Sequence, residues 1–243
     1  MERKFISVLT ASLLFIACSA LAQSPCAPEP RLIQTEGTAE ITARNDSAKI
    51  SIAVLTDGRN LDQVSSENAS RTKAVMAAIR DLHIENLKLE TSNYRVTPQK
   101  DYQIKPPKIK GYEVYHVIEV TLESFGPEHL SGHVSKTVGK ALESGANDVN
   151  YIQFYIKDKK PLEKEALTQA TREAMDRAKT LAEAAGVKLK RIATLSTHPI
   201  NPPIRPSMLR AADMKVGGEA VAPPIETGES QIRAEVALAY EIE

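Results

Sequence analysis

The sequence predicts an α+β fold, with helices packed on a mainly antiparallel mixed sheet. Three observations carry that expectation. Apolar residues alternate with a period of two in seven stretches and recur at helical spacing in three others. The segments follow the order ββαββαβαββ, without the strict alternation of a doubly wound fold. Turn residues separate neighbouring strand stretches closely enough for antiparallel hairpins.

Taken in order, "IQTEGTAEITAR" and "SAKISIAVLTDG" read as two strands joined by a turn at Asn45-Asp46, the second closed by Asp57-Gly58. From about Asn60 to Leu82 the period becomes helical, with Leu61, Val64, Val75, Ile79 and Leu82 on one stripe. "ENLKLETSNYRVTPQKDY" returns to strand, which is expected to end at Pro98 because proline cannot donate to a ladder. In "KGYEVYHVIEVTL", Tyr112, Val114, Ile118, Val120 and Leu122 share one face, and His116 sits within their row.

Gly126-Pro127 opens a second helix carrying Leu130, Val134, Val138 and Leu142, with Gly145 as its stop. "DVNYIQFYIKD" is a further strand. Pro161 then stands at a first-turn position, where proline is tolerated. The third helix is the longest. Its expected stripe is Leu167, Ala170, Ala174, Ala178, Leu181 and Ala185, small enough for close approach to a sheet, with Gly186 as cap. "KLKRIATLS" and "SQIRAEVALAYEIE" are the closing strands. No short-period repeat marks a solenoid or propeller.

The chain divides into a leader over residues 1–22, a short tail over 23–33, and one domain over 34–243. Within that domain, a Pro-rich arm spans 198–228. "MERK", the apolar run "FISVLTASLLFIA" and "ALAQ" form a secretory signal peptide cleaved after Ala22. The run is shorter than the ~20 residues a spanning helix needs, so no transmembrane span is expected. The mature chain, from Gln23, is therefore expected to be exported and soluble. "LLFIAC" also fits a lipobox, whose processing would instead anchor the protein by an acylated Cys18 at a membrane surface. With cleavage after Ala22, Cys26 is the sole mature cysteine and has no internal disulfide partner. The arm holds six of the 14 prolines and several apolar side chains, which suits a role in contacts between copies of the chain.

At 42% hydrophobic and 26% charged, the 243 residues fall in the globular class and suffice for one sizeable core. Lys plus Arg and Asp plus Glu each number 31, so no global field steers the protein to nucleic acid or an anionic bilayer, and no basic cluster stands out. The absence of Trp removes the best stacking platform. Nucleic acid is not an expected partner.

The chemistry-bearing residues are few. His129 and His133 lie four apart on the second helix and are the best metal candidates, but zinc needs a third ligand and "HLSGH" lacks the glutamate of HExxH. They read as two polar helix-surface histidines, and no metal or cofactor is expected. No Gly-x-Ser-x-Gly elbow, phosphate loop or Cys-His pair occurs. Acidic residues such as Glu165 and Glu173 alternate with bases along helix surfaces, which stabilises helices rather than pairing carboxylates. His116 has no nucleophile or metal motif to join, so it reads as a packing or sheet-surface residue with one satisfied nitrogen. No catalytic residue is assigned.

Taken together, "TSNYRVTPQKDY", "IKGYEVYHVIEVTLESF", "ESGANDVNYIQF", "REAMDRAKTLAEAAGVKLKRI" and "PIETGESQIRAEVALAYEIE" resemble the SIMPL domain family of exported bacterial proteins, including the periplasmic immunogenic proteins. The resemblance runs from about Gln34 to the C-terminus. It implies an α+β domain of the cell envelope, non-enzymatic, able to form large homo-oligomers and associated with oxidative-stress tolerance. Animal relatives act as adaptors for a kinase. The family offers no catalytic residues to carry over. Relatives often have Asn or Arg where this chain has His116, so the position calls for polarity rather than imidazole chemistry.

Three readings follow. The first is a non-catalytic, self-assembling periplasmic protein with a possible envelope protein partner. The alternatives are an envelope metal-binding protein or enzyme using His129 and His133, and a carrier of an apolar small molecule held between sheet and helices. Convergent histidines and carboxylates in a cleft would favour the enzyme. A sheet apolar on both faces, with a sizeable internal cavity, would favour the carrier.

Overall fold

A computed structural model describes residues 30–198 and 225–243. The expected leader 1–22 with Cys18, residues 23–29 of the tail with Cys26, and residues 199–224 of the Pro-rich arm lie outside them. The elements are β1 (Leu32–Arg44), β2 (Ser47–Gly58), α1 (Leu61–Arg80), β3 (Leu87–Asp101), β4 (Lys108–Leu122), α2 (Pro127–Glu143), β5 (Asp148–Tyr155), α3 (Lys160–Ala185), β6 (Leu189–His198) and β7 (Glu229–Ile242). Their order is ββαββαβαββ, as the periodicity predicts.

The strands divide between two sheets. One is three-stranded, β1-β7-β6, and carries α3; the other is four-stranded, β3-β4-β2-β5, and carries α1 and α2. Every strand pair is antiparallel. The strands that read as a hairpin, β1 and β2, part company at Asn45-Asp46 and enter different sheets. β1 pairs instead with β7, from Leu32 opposite Glu241 to Arg44 opposite Glu229.

Branched side chains build the four-stranded half. Ile50, Ile52 and Val54 of β2 and Ile118, Val120 and Leu122 of β4 meet Val75 and Ile79 of α1 and Leu130, Val134 and Val138 of α2, all fully or almost fully buried. Burying each such side chain contributes about 1.5–3 kcal/mol. Asn60 caps α1 by accepting a hydrogen bond from the Gln63 amide at 3.1 Å. Buried Asn68 donates to the carbonyls of Val54 at 2.9 Å and Val114 at 3.2 Å, fixing helix to sheet.

The three-stranded half is built from small residues. Ala166, Ala170, Ala174, Ala178 and Ala182 form the buried stripe of α3, while Leu167 and Leu181 are exposed. This corrects the expected stripe. The strict four-residue alanine row wins because only small side chains let the helix backbone come so near the sheet. Gly37 of β1 shows how near: a Cβ there would lie 2.0 Å from the Ala170 carbonyl oxygen. Thr35 exploits the same approach by donating to the Ala174 carbonyl at 2.8 Å. Gly186 ends the helix at φ +67°, a conformation that favours glycine.

β3 runs past its expected end, pairing Pro98 with Tyr112 and continuing to Asp101 opposite Lys108. Proline is tolerated because β3 is an edge strand of this sheet among the described residues, where a missing N–H costs no ladder bond.

Asn45 and Asp46 tie the halves together. Buried Asn45 donates from Nδ2 to the Thr227 carbonyl at 2.9 Å and accepts at Oδ1 from the Ser230 hydroxyl at 2.6 Å. Asp46 Oδ1 accepts from the Lys157 amide at 2.8 Å, and its carbonyl accepts from the Phe125 amide at 2.8 Å. Ile225, just before β7, is buried in the core of the four-stranded half.

Candidate functional site

Alternation along β2, β4 and β5 sends branched residues to the helices and polar residues to the opposite face of the four-stranded sheet. On that open face Lys49 of β2 pairs with Glu119 of β4, Nζ to Oε1 at 2.8 Å, and Tyr151 of β5 donates to Glu119 Oε2 at 3.0 Å. Further along, the Tyr115 hydroxyl lies 2.6 Å from Asn150 Oδ1 and 3.0 Å from Asp148 Oδ2. Asn150 donates on to the buried Ser51 hydroxyl at 3.1 Å. The Arg95 guanidinium stacks over the Tyr115 ring at 5.5 Å. At the sheet end Glu123 accepts from Lys88 at 3.1 Å and Lys157 at 3.2 Å.

The surroundings of this face shift its ionisable groups. The hydrogen bond from Lys49 holds the Glu119 carboxyl below its ordinary range, and the same bond holds Lys49 above its own. Burial pushes the Tyr115, Tyr151 and Tyr155 phenols up. A general base needs a value near the working pH, and an activated phenol needs a lowered one. These groups move the other way.

The histidines are placed separately. His116 is half-buried on β4, paired with the core residue Val54 of β2. Its Nε2 lies 3.2 Å from the Thr91 hydroxyl, and the Tyr94 ring meets it edge-on with centroids 5.2 Å apart. Burial lowers its pKa. His133 of α2 leans on Phe125, ring centroids 4.8 Å apart, and its pKa is lowered by burial and then by Lys136 and His129. His129 is exposed on the same helix.

A shallow depression of about 280 Å³ brings His133 together with His83, Glu85 and Lys136. His83, in the α1–β3 turn at φ +50°, was not among the sequence candidates and carries no motif. His129 does not line this depression. Among the described residues no three His, Cys, Asp or Glu side chains converge as a metal site. No helix among them is long and apolar enough to cross a membrane.

A cavity of about 800 Å³ forms an open groove beside α3. Gln34, Thr35, Arg177, Thr180, Thr194 and Ser196 bring polar groups to it, alongside Leu181 and Leu238. Arg177 is committed within the groove, donating to the Glu36 carbonyl at 2.7 Å and to Glu173 at 2.6 Å. The outer face of the four-stranded sheet is mostly polar, with buried Ala53 and Val117 as exceptions, whereas an apolar carrier calls for a sheet apolar on both sides.

The model of the SIMPL family, described as a protein of unknown function (DUF541), matches residues 33–240. The 26 kDa periplasmic immunogenic protein of Brucella melitensis is 27% identical over 222 residues, covering 88% of this chain and 86% of that protein. The uncharacterized protein YggE of Escherichia coli K12 is 24% identical over 198 residues, covering 82% of this chain and 78% of that one. YggE of Edwardsiella ictaluri is 22% identical over 184 residues, covering 75% and 74%.

Proposed function

The chain belongs to the SIMPL family, and on that footing we propose that it is a periplasmic protein that works without catalysing a reaction, by assembling with copies of itself in the cell envelope. The periplasmic placement draws support from the printed name of the Brucella relatives, whose length this chain largely spans, and from the leader-like residues 1–22. The service it performs is read as tolerance of oxidative stress, on the family resemblance alone.

The observation that carries the non-catalytic reading is the open face of the four-stranded sheet. Its carboxylate is held ionised, its lysine protonated and its phenols neutral, so none is poised for proton transfer near neutrality. Self-assembly is supported by the edges. Among the described residues β6 ends the smaller sheet, with Ile192 and Leu195 exposed, and Leu181 of α3 is exposed as well. An open strand edge with apolar side chains is a ready template for another chain.

Size-exclusion chromatography with light scattering on the processed protein tests the assembly. The expected result is a discrete mass several times that of one chain. A monomer at all accessible concentrations overturns it.

A further inference from the structure

We propose that the β3–β4 hairpin is a membrane-docking arm, which seats this protein on the surface of a bilayer containing anionic lipid. The hairpin outruns the sheet it starts from. β2 ends at Gly58 opposite Tyr112, but β3 and β4 go on pairing to Asp101 opposite Lys108. At the rise of a strand that adds about 10 Å before residues 102–107 close the tip.

Charge concentrates on this projection. Between Tyr94 and Tyr112 stand Arg95, Lys100, Lys105, Lys108 and Lys110 against a single carboxylate, Asp101. That carboxylate is engaged in the turn, accepting from the Gln103 amide at 2.9 Å. The segment therefore carries +4, and since the whole chain is neutral, the rest carries −4. Overall neutrality conceals a molecule that is electrostatically polar. Near an anionic surface the hairpin is drawn in and the remainder is pushed away, so approach is tip first.

Apolar and aromatic side chains alternate with those cations. Tyr102 at the tip is 76% exposed, Ile109 52% and Ile104 44%. Tyrosine belongs at the headgroup level, where its ring is apolar and its hydroxyl wet. Basic residues there add attraction to anionic lipid that fades within a Debye length. A soluble polyanion would use the same charges but has no need of Ile104 and Ile109 at the tip. The lipid surface uses both.

The test is flotation of the chain, purified as its host processes it, with vesicles of phosphatidylethanolamine alone and with phosphatidylglycerol added. Intact mass establishes beforehand that the sample bears no acyl group, so binding reads the hairpin and not a lipid anchor. Binding to the anionic vesicles is expected at low salt, lost at high salt, and much weaker on the zwitterionic ones. The combined K100Q, K108Q and K110Q variant should lower the partition about a hundredfold, at roughly fivefold per cation. Y102S should lower it several-fold at low salt. All four positions are exposed, and circular dichroism and the thermal midpoint establish that the variants stay folded. No binding by the native chain overturns the proposal, as does equal binding by the triple variant. Capture of single-stranded DNA or heparin without vesicle binding overturns it in favour of a polyanion site.

Discussion

The two halves of this molecule solve the same packing problem by opposite means. In the four-stranded half, Ile, Val and Leu fill the space between sheet and helices, and the layers stand apart by the width of those side chains. In the three-stranded half, a row of alanines and Gly37 remove the space instead, so that α3 rests almost on the backbone of β1. The first gains mainly from apolar area removed from water, the second from dispersion between closely matched surfaces. A branched core can relax around a lost methyl group. A backbone contact has nowhere to move.

That difference predicts unequal responses to one methyl group. Gly37→Ala should cost about 4 kcal/mol or more, because the added Cβ meets a carbonyl oxygen that cannot step aside. Hydrogen exchange should show α3, β1 and β7 losing protection while β2 and β4 keep theirs. If Gly37→Ala is tolerated within about 1 kcal/mol, the contrast between the halves is wrong. The counterpart Ile118→Ala removes more atoms yet should cost less, roughly 3 kcal/mol, spread over the four-stranded half.

Asn45→Ala tests whether the halves stand independently. It strips two side-chain partners from Thr227 and Ser230 in a buried turn, for an expected loss of about 2 kcal/mol. Two separate unfolding steps in calorimetry, where the parent shows one, would mean that this turn couples them. A single transition at lowered temperature would place the coupling elsewhere.

The smallest effect concerns acid. Both histidines with depressed pKa values, His116 and His133, sit in the four-stranded half. Their folded forms bind protons more weakly than the unfolded chain does. The stability they contribute is therefore complete above the ordinary imidazole range and is lost as pH falls below about 6.5. His116→Asn should flatten part of that decline, by less than about 1 kcal/mol, in urea midpoints measured across the window. An unchanged slope would remove His116 from the account.

What was legible in the sequence was local. The order of elements follows from periodicity, and the cap at Gly186 follows from one residue type. The α3 stripe was misjudged by a fraction of a turn because Leu167 and Leu181 weigh more than alanine on any hydrophobic scale, while close approach selects for the lack of bulk. Pro98 reads as a strand end because being an edge strand is a property of the sheet and not of the local sequence. The network of Lys49, Glu119 and Tyr151 draws one residue from each of three strands, and its spacing along the chain carries no motif. The hairpin's charge was diluted in a net count of zero and emerges only when β3 and β4 project together.

One pairing fixes a schedule. β1, near the start of the domain, pairs with β7 at the far end, its one strand partner among the described residues, Leu32 against Glu241. The four-stranded half, by contrast, holds every strand it needs once β5 has formed at Tyr155. A chain emerging from its N-terminus can therefore complete that half early, while β1 waits with an unpaired edge until the last residues arrive. Its exposed face in the interval is rich in Gln, Glu and Thr, which keeps a waiting strand from sticking to others. The smaller sheet is thus a closing device. It registers that the whole chain has been delivered, and a truncated copy, however well its larger half folds, leaves β1 without its strand partner and α3 without the part of its sheet that β7 supplies.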